Sequence, residues 1–165
     1  MLTAQRRAEI SNLQRDEVDL DQAVITLPPA RTKNRTTHYV PLSPPALAIL
    51  KARPRDNGPQ LIFGRGDGGF SGWAHAKRQL DAAVQIAPWT LHDLRRAAST
   101  GMGNLGLSPH VIELVLNHRP GSKIANTYNK SMYRSECDAA LNRWADHLMA
   151  VMEERLSNVT PLKRA

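Results

Sequence analysis

Cysteine is nearly absent from this chain, which contains a single one, Cys137. One cysteine excludes an internal disulfide and a cysteine-rich metal site, so a reducing cytoplasm is the expected compartment. Long apolar runs are missing too: none approaches the roughly 18 to 20 residues of a membrane-spanning helix. The opening residues, MLTAQRRAEI, also lack the apolar segment of a signal peptide. These absences favour a cytoplasmic protein.

Acidic side chains are scarce in one part of the chain. Residues 22–80 carry 9 basic and 2 acidic side chains, whereas residues 1–21 carry 3 basic and 5 acidic ones. The net charge of +7 therefore comes from a local excess. A localised basic surface is typical of proteins that bind a polyanion, most often nucleic acid, although a solvated basic surface without a partner has the same composition.

The hydrophobic pattern predicts one α+β domain that is mainly α, with a small three-stranded antiparallel sheet. Two β-branched runs form a predicted hairpin joined by the basic connection ARTKNR, and LIF is a candidate third strand. RDEVDLDQ is expected to be a polar turn, and the glycine-rich GRGDGGFSG a loop without a phosphate-binding role. The predicted strands are residues 23–29, 37–43 and 61–63, and the predicted helices are residues 2–14, 44–52, 73–85, 90–102, 108–118 and 131–156.

Two of these helices have clear start signals. Thr90 is a candidate N-cap with Asp93 three residues later, which is a capping-box pattern. Ser108 before a proline is a candidate N-cap of the next helix. Gly101 and Gly103 are expected to end the helix that begins at Thr90.

Arg6 and Glu9 are the first candidate functional residues. The predicted helix places Arg6 on its apolar face, where a guanidinium needs a partner, and Glu9 at i+3 can supply one. A structural ion pair that reaches the surface explains the same pattern.

Two histidines and an arginine form the next candidates. His92 and Arg95, three residues apart, share a helix face near a helix N-terminus, where a phosphate is favoured. Taken alone, His92 could be a surface or capping residue. His118 follows an apolar helix, where a histidine commonly complements the helix dipole. The histidine spacing is not that of a zinc site and no carboxylate cluster accompanies it, so no metal is expected.

Lys33 and Tyr128 complete the set. Lys33 lies in the predicted hairpin connection, where it could reach a ligand or be a plain solvated lysine. Tyr133 belongs to an apolar stripe of the terminal helix, so packing explains it. Tyr128 lies off that stripe in the polar stretch NTYNKSMY, and nearby cations favour a phenolate nucleophile.

The order of these residues resembles the tyrosine recombinases, the phage integrase family. LTAQRRAEISNLQRDEVDL is similar to that family's first-arginine segment, TKNRTTHYVPLS to its β-hairpin and LHDLRRAAST to its HxxR box. VLNH stands where the family often has Leu-Gly-His, so Asn117 replaces the common glycine. LNRWADHL resembles the terminal helix of prophage and genomic-island integrases. The catalytic positions implied by the resemblance are Arg6, Lys33, His92, Arg95, His118 and Tyr128.

The resemblance implies a DNA breaking and rejoining fold and a reaction that needs neither metal nor ATP. Tyrosine would attack a scissile phosphate of double-stranded DNA to form a 3′-phosphotyrosine. The two arginines would hold the phosphate, Lys33 would protonate the leaving oxygen, and Glu9 would orient Arg6. The histidines would position the phosphate and assist proton transfer. The candidate DNA-binding residues are Arg31, Arg35, Arg96 and Lys123.

The family usually joins this domain to an N-terminal DNA-binding domain and acts as a homotetramer on DNA. This sequence opens inside the first-arginine segment, so residues 1–156 are expected to be a truncated catalytic domain, monomeric or weakly associated, followed by a flexible tail, 157–165. Three rival interpretations remain open: a helix-turn-helix DNA-binding module formed by residues 90–118, a degenerate recombinase, and a type IB topoisomerase. The apolar second helix argues against the first, because recognition helices display polar side chains.

Overall fold

The computed structural model describes residues 1–53, 60–65, 68–84, 86–118 and 133–153. Within these ranges the protein is mainly helical, with a small antiparallel sheet, which confirms the predicted α+β class. The helices are α1 Arg7–Ser11, α2 Pro44–Lys51, α3 Trp73–Ala83, α4 Leu91–Asn104, α5 Pro109–Val115 and α6 Arg134–Met152. The strands are β1 Val18–Asp19, β2 Val24–Leu27, β3 His38–Pro41, β4 Gly64–Arg65 and β5 Gly68–Gly69, and two 3-10 turns cover Arg15–Glu17 and Pro29–Arg31.

The predicted hairpin is the centre of the sheet. Strands β2 and β3 pair antiparallel, with Ile25 opposite Val40 and Leu27 opposite His38. Ile25, Leu27 and Val40 are at most 1% exposed, so the β-branched and aliphatic side chains of one face enter the core. Residues 28–37, which we call the hairpin connection, join the two strands.

Helix α6 covers this core. It packs against β3, α4 and α5, and its apolar stripe is buried as the heptad-like spacing predicts. Burial of this stripe explains why an otherwise polar 19-residue helix docks on the domain. The buried residues of α6 are Cys137, Ala140, Leu141, Trp144 and Ala145.

The predicted helix over residues 2–14 is wrong in length, because only Arg7–Ser11 is helical. Ala4 has a left-handed backbone (φ 52°) and Arg6 an extended one (ψ 144°), so neither continues a helix. The Glu9 carboxylate accepts the backbone N–H of Arg6 at 3.0 Å, as in a capping box, and the helix begins at the next residue, Arg7. Arg6 is therefore the N-cap residue and does not lie on an apolar helix face.

The predicted third strand is also wrong. β1, inside the expected polar turn, is the third strand of the sheet, with Val18 opposite Ile25. Residues 61–63 instead contact the chain just after α1. The Ile62 N–H donates to the Leu13 carbonyl at 2.9 Å, and Leu61 forms an isolated bridge with Gln14. The glycine-rich stretch is not wholly loop, because β4 and β5 form a small hairpin there.

The glycines of α4 do not end it, contrary to expectation. The helix continues to Asn104, and Gly101 lies inside it against the Trp144 ring, with which any added side chain would collide. Glycine is thus explained here by the close approach of α4 and α6. Both predicted starts are confirmed. Thr90 is the N-cap residue of α4, and its N–H donates to the Asp93 carboxylate. Ser108 is the N-cap residue of α5, and its hydroxyl accepts the Val111 N–H. α5 ends at Val115, three residues before its predicted end.

Two further findings concern the described residues taken together. In the part that the structure describes, no helix combines the length and apolar character needed to cross a membrane. The same residues contain no group of three or more His, Cys, Asp or Glu side chains that could hold a metal ion. The predicted tail, 157–165, lies outside the described residues.

Candidate active site

Arg6 and Glu9 form the predicted ion pair. The Arg6 Nη1 lies 3.0 Å from Glu9 Oε1, and the other carboxylate oxygen accepts the Arg6 backbone N–H. The Glu9 side chain is only 3% exposed, whereas that of Arg6 is 23% exposed. A buried carboxylate needs such partners, because an unpaired charge there would be costly. The pair therefore fixes the guanidinium of Arg6 while leaving part of it accessible.

Arg95 is buried on the inner face of α4, with 7% of its surface exposed. Its Nη1 donates to the Ala4 carbonyl at 2.5 Å, and its Nη2 donates to the Leu116 carbonyl. Burial, assisted by the positive charge of Arg6, lowers the pKa of Arg95 to about 10, and Glu9 and Glu113 oppose this change. Arg95 is still protonated at neutral pH.

The turn after α5 brings the two arginines together. Arg95 donates to the carbonyl of Leu116, and Arg6 Nη2 donates to that of Asn117 at 3.3 Å. Asn117 has a left-handed backbone (φ 48°), a conformation that glycine adopts freely and asparagine tolerates better than most residues. Asparagine therefore suits this backbone, at the position where the resemblance led us to expect glycine.

His118 follows directly in the chain. Its backbone N–H donates to the Glu113 carbonyl, and its Nδ1 lies 2.8 Å from Glu113 Oε2. The side chain is 43% exposed. After α5 the chain therefore first offers two carbonyl acceptors to the arginines, those of Leu116 and Asn117. The next residue, His118, exposes an imidazole that the Glu113 carboxylate orients.

The hairpin connection approaches the same turn. Asn34 Nδ2 donates to the Asn117 carbonyl at 2.5 Å, and the neighbouring Lys33 is exposed. The carbonyl of Asn117 therefore accepts from both Asn34 and Arg6. Sequence reasoning missed Asn34, since nothing in the sequence indicates that its amide meets a backbone carbonyl 83 residues away.

Arg31 and Arg35, both predicted to bind DNA, differ in their surroundings. Arg31 donates to the backbone carbonyls of Glu9 (2.8 Å) and Asn12, and its Nε lies 3.3 Å from the buried carboxylate of Glu17. Arg35 is exposed. Of the two, Arg31 is engaged by groups of the protein itself.

His92 and Arg96 lie on the outer side of α4. His92 is exposed in the first turn, three residues before Arg95. Arg96 is 74% exposed and pairs with Asp93 at 3.2 Å. Hydrogen bonds from the Thr90 hydroxyl and backbone N–H lower the pKa of Asp93. The start of α4 thus has its predicted cap, with His92 open to solvent beside it.

Tyr128 and Lys123 lie outside the described residues. Tyr133 is half-buried at the start of α6, where its ring meets that of His110 edge-on at 4.8 Å. This contact agrees with the packing role predicted for Tyr133.

A second buried link supports the site. His38 Nε2 lies 3.1 Å from Gln5 Oε1, and Gln5 Nε2 donates to the Val115 carbonyl at 2.9 Å. These hydrogen bonds join β3 and the end of α5 through Gln5, which is the neighbour of Arg6 in the chain. Sequence reasoning missed Gln5, because nothing local indicates that its amide joins two distant segments.

Comparisons with known proteins identify relatives of this chain. The chain is 32% identical over 157 residues to the prophage integrase IntA of Escherichia coli (strain K12), covering 91% of this chain and 37% of that protein. It is 31% identical to the prophage integrase IntZ of the same organism, covering 92% and 38%. It is 28% identical to the integrase of Shigella phage Sf6, covering 88% and 39%.

The chain spans about two fifths of the length of these curated relatives. No solved structure matches it significantly. The family model described as the phage integrase family matches residues 1–135, which include the arginines, the hairpin connection and the turn after α5. The chain therefore belongs to the phage integrase family.

Proposed function

We propose that this chain is the catalytic part of a tyrosine recombinase, which cleaves and rejoins double-stranded DNA through a 3′-phosphotyrosine. The observation that carries the proposal is the convergence of Arg6 and Arg95 on the carbonyls of Leu116 and Asn117, next to His118. The two guanidiniums repel each other, and the Glu9 carboxylate offsets part of that repulsion, as a bound anion would. A scissile phosphate is the anion that membership of an integrase family suggests.

The two arginines would hold the non-bridging phosphate oxygens. A guanidinium carries five N–H donors, and the Arg95 bonds to two carbonyls use two of them. Donors fixed in advance stabilise the extra negative charge of a phosphoryl-transfer transition state without reorganising. Glu9, which fixes Arg6 at 3.0 Å, would orient that donor set.

The reaction then follows from the remaining residues. The phenolate oxygen of Tyr128 attacks phosphorus, the bond from phosphorus to the 5′ oxygen breaks, and Lys33 gives that oxygen a proton. The 5′ hydroxyl of a partner strand later attacks the phosphotyrosine and releases Tyr128. His92 and His118 would position the phosphate and assist these proton transfers.

DNA would approach the face that carries the exposed cations. Lys33, Arg35 and Arg96 are exposed, and Lys123 is proposed to contact DNA together with them. Exposed cations of this kind contact backbone phosphates, and the resulting affinity falls with salt. In the complete protein we propose a homotetramer on DNA, with this chain alone monomeric or weakly associated, in the cytoplasm.

The burial of α5 argues against the helix-turn-helix alternative. Val111, Ile112 and Val115 lie in the core, so this face of the helix does not reach a DNA groove. The remaining face is short, because the helix has seven residues.

A nicked suicide substrate tests the proposal. Incubated with DNA that carries a nick beside the crossover site, in the presence of EDTA, the chain should form a covalent protein–DNA adduct. Tyr128→Phe should abolish it, and Tyr133→Phe is the matched control that should retain it. An adduct that depends on Tyr133 instead would overturn the assignment, and one that EDTA abolishes would indicate a metal-dependent enzyme.

A further inference from the structure

Asn34 occupies a position that the proposed mechanism does not use. It is the neighbour of Lys33 in the hairpin connection, and its side chain is half-buried. Its Nδ2 donates to the Asn117 carbonyl at 2.5 Å, across 83 residues of sequence. A side-chain bond to a backbone carbonyl of a distant turn fixes the relative position of the two segments. Here one segment carries Lys33 and the other carries His118.

The other side of Lys33 is anchored as well. Arg31 holds the start of the connection against α1 through the Glu9 and Asn12 carbonyls and pairs with Glu17. Within the connection, the Thr32 hydroxyl donates to the Thr36 carbonyl at 2.8 Å. Lys33, in contrast, is exposed. The protein therefore orders the backbone on both sides of an exposed lysine.

The acceptor of Asn34 is shared with Arg6, whose Nη2 lies 3.3 Å from the same oxygen. The geometry points to Asn34 as a positioning residue, which sets Lys33 of the hairpin connection relative to the phosphate held by Arg6. This inference rests on the proposed function, because it assigns Asn34 a role through the proposed general acid. A proton donor has to meet the leaving oxygen within hydrogen-bond reach, so a misplacement of about 1 Å is costly.

The choice of leaving group separates positioning from a general structural role. Cleavage would be compared on two suicide substrates, one with the natural 5′ oxygen and one with sulfur in its place. Because thiols ionise near a pKa of about 8.5, a thiolate leaves without receiving a proton. Lys33→Ala should therefore lose about 100-fold or more in cleavage rate on the oxygen substrate and recover most of it on the sulfur substrate.

Asn34→Ala and Asn34→Asp should follow the pattern of Lys33→Ala. We expect a loss of about 10- to 100-fold at saturating protein on the oxygen substrate, and less than about threefold on the sulfur substrate. Asn34→Asp keeps the shape but removes the donors, so it should behave like the alanine variant. Asn104→Ala, an exposed asparagine at the end of α4, is the matched control and should cleave both substrates normally.

An equal loss on both substrates would overturn the inference, because it would show that Asn34 supports the fold or DNA binding and does not position the proton donor. Normal cleavage by Asn34→Ala on the oxygen substrate would overturn it too. If the unaltered chain forms no adduct on either substrate, the proposed function fails. The hydrogen bond from Asn34 to the Asn117 carbonyl can then still be tested without DNA cleavage.

Amide hydrogen exchange of the DNA-free chain tests whether Asn34 orders the hairpin connection. Asn34→Ala should raise the exchange rate of residues 32–37 about tenfold or more. Helix α2, which follows β3 in the sequence, should keep its protection and serves as the internal control. Unchanged exchange in the hairpin connection would show that Asn34 does not hold it, and would overturn the inference whatever the cleavage results.

Discussion

Arg95 and Arg96 are neighbours on α4, yet their guanidiniums occupy opposite environments. Arg95 is 7% exposed and donates to carbonyls of two distant segments, whereas Arg96 is 74% exposed and pairs with Asp93 on its own helix. Consecutive helix positions lie about 100° apart, so one points to the core and the next to solvent. The sequence letters are the same, and the position on the helix decides which arginine has a fixed geometry.

The hairpin connection repeats the difference. Arg31 is held by Glu9, Asn12 and Glu17, while Arg35 is exposed. A guanidinium fixed by protein acceptors suits a role that needs one geometry, such as stabilising a transition state or ordering a loop. An exposed one suits charge attraction to a backbone that can slide past it.

The largest effect is expected from the pair on α4. Arg95→Lys keeps the charge but loses the fork that reaches two carbonyls and that we propose to hold the phosphate, so cleavage of the suicide substrate should slow by about 100-fold or more. Arg96→Lys, the matched change, should slow it by less than about threefold. Single-turnover rates at saturating protein measure both. Similar losses in the two variants would remove the distinction between inner and outer arginines.

The pair in the hairpin connection should differ in stability. Arg31→Met removes the guanidinium and leaves the buried Glu17 carboxylate with the Gln14 N–H but without a cation, so we expect a loss of about 2–3 kcal/mol in the free energy of unfolding. Arg35→Met should change it by less than about 0.5 kcal/mol. Urea unfolding curves of both variants give the comparison. An Arg31 variant as stable as the unaltered chain would contradict the anchoring role.

A smaller effect on stability is expected at the turn after α5, whose carbonyls accept from Arg6 and Arg95. Asn117→Gly and Asn117→Ala both remove the side-chain amide, but only alanine is strained at φ 48°. The alanine variant should therefore be less stable than the glycine variant by about 1 kcal/mol, measured by the same unfolding curves. Equal stabilities would indicate that the left-handed backbone does not explain asparagine here.

The smallest effect concerns the outer cations and DNA. Binding of the chain to a DNA duplex should be weak and should fall with salt. Arg35→Ala and Arg96→Ala should each reduce the slope of log Kd against log salt by about 1, since each would lose one phosphate contact. Titrations at several salt concentrations provide the slopes. Unchanged slopes in both variants would show that the exposed cations do not face DNA.

Local sequence signals predicted what local chemistry determines. The caps at Thr90 and Ser108 and the Arg6–Glu9 pair each join residues three positions apart, and all are present. The two strands of the β-hairpin follow each other in the chain, and they too pair as predicted. The buried stripe of α6 was predictable for the same reason, because periodicity reports which face is apolar.

Long-range packing explains what the sequence did not reveal. Gly101 lies inside a helix at a position where the Trp144 ring leaves no room for a side chain, although glycine alone suggests a helix end. Arg6 is an N-cap because Ala4 turns the chain, which no periodicity shows. The contact of Asn34 with Asn117 joins segments 83 residues apart through a backbone carbonyl, which every residue possesses. Such an acceptor leaves no trace in the residue types.

The most direct test of the account identifies the residue that carries DNA. After adduct formation on the suicide substrate, trypsin would cut after Lys123, Lys130 and Arg134, which places Tyr128 in IANTYNK and Tyr133 in SMYR. Mass spectrometry should find the nucleotide linked to IANTYNK, through the phenolic oxygen of Tyr128. A nucleotide on SMYR, or on any peptide without Tyr128, would contradict the account.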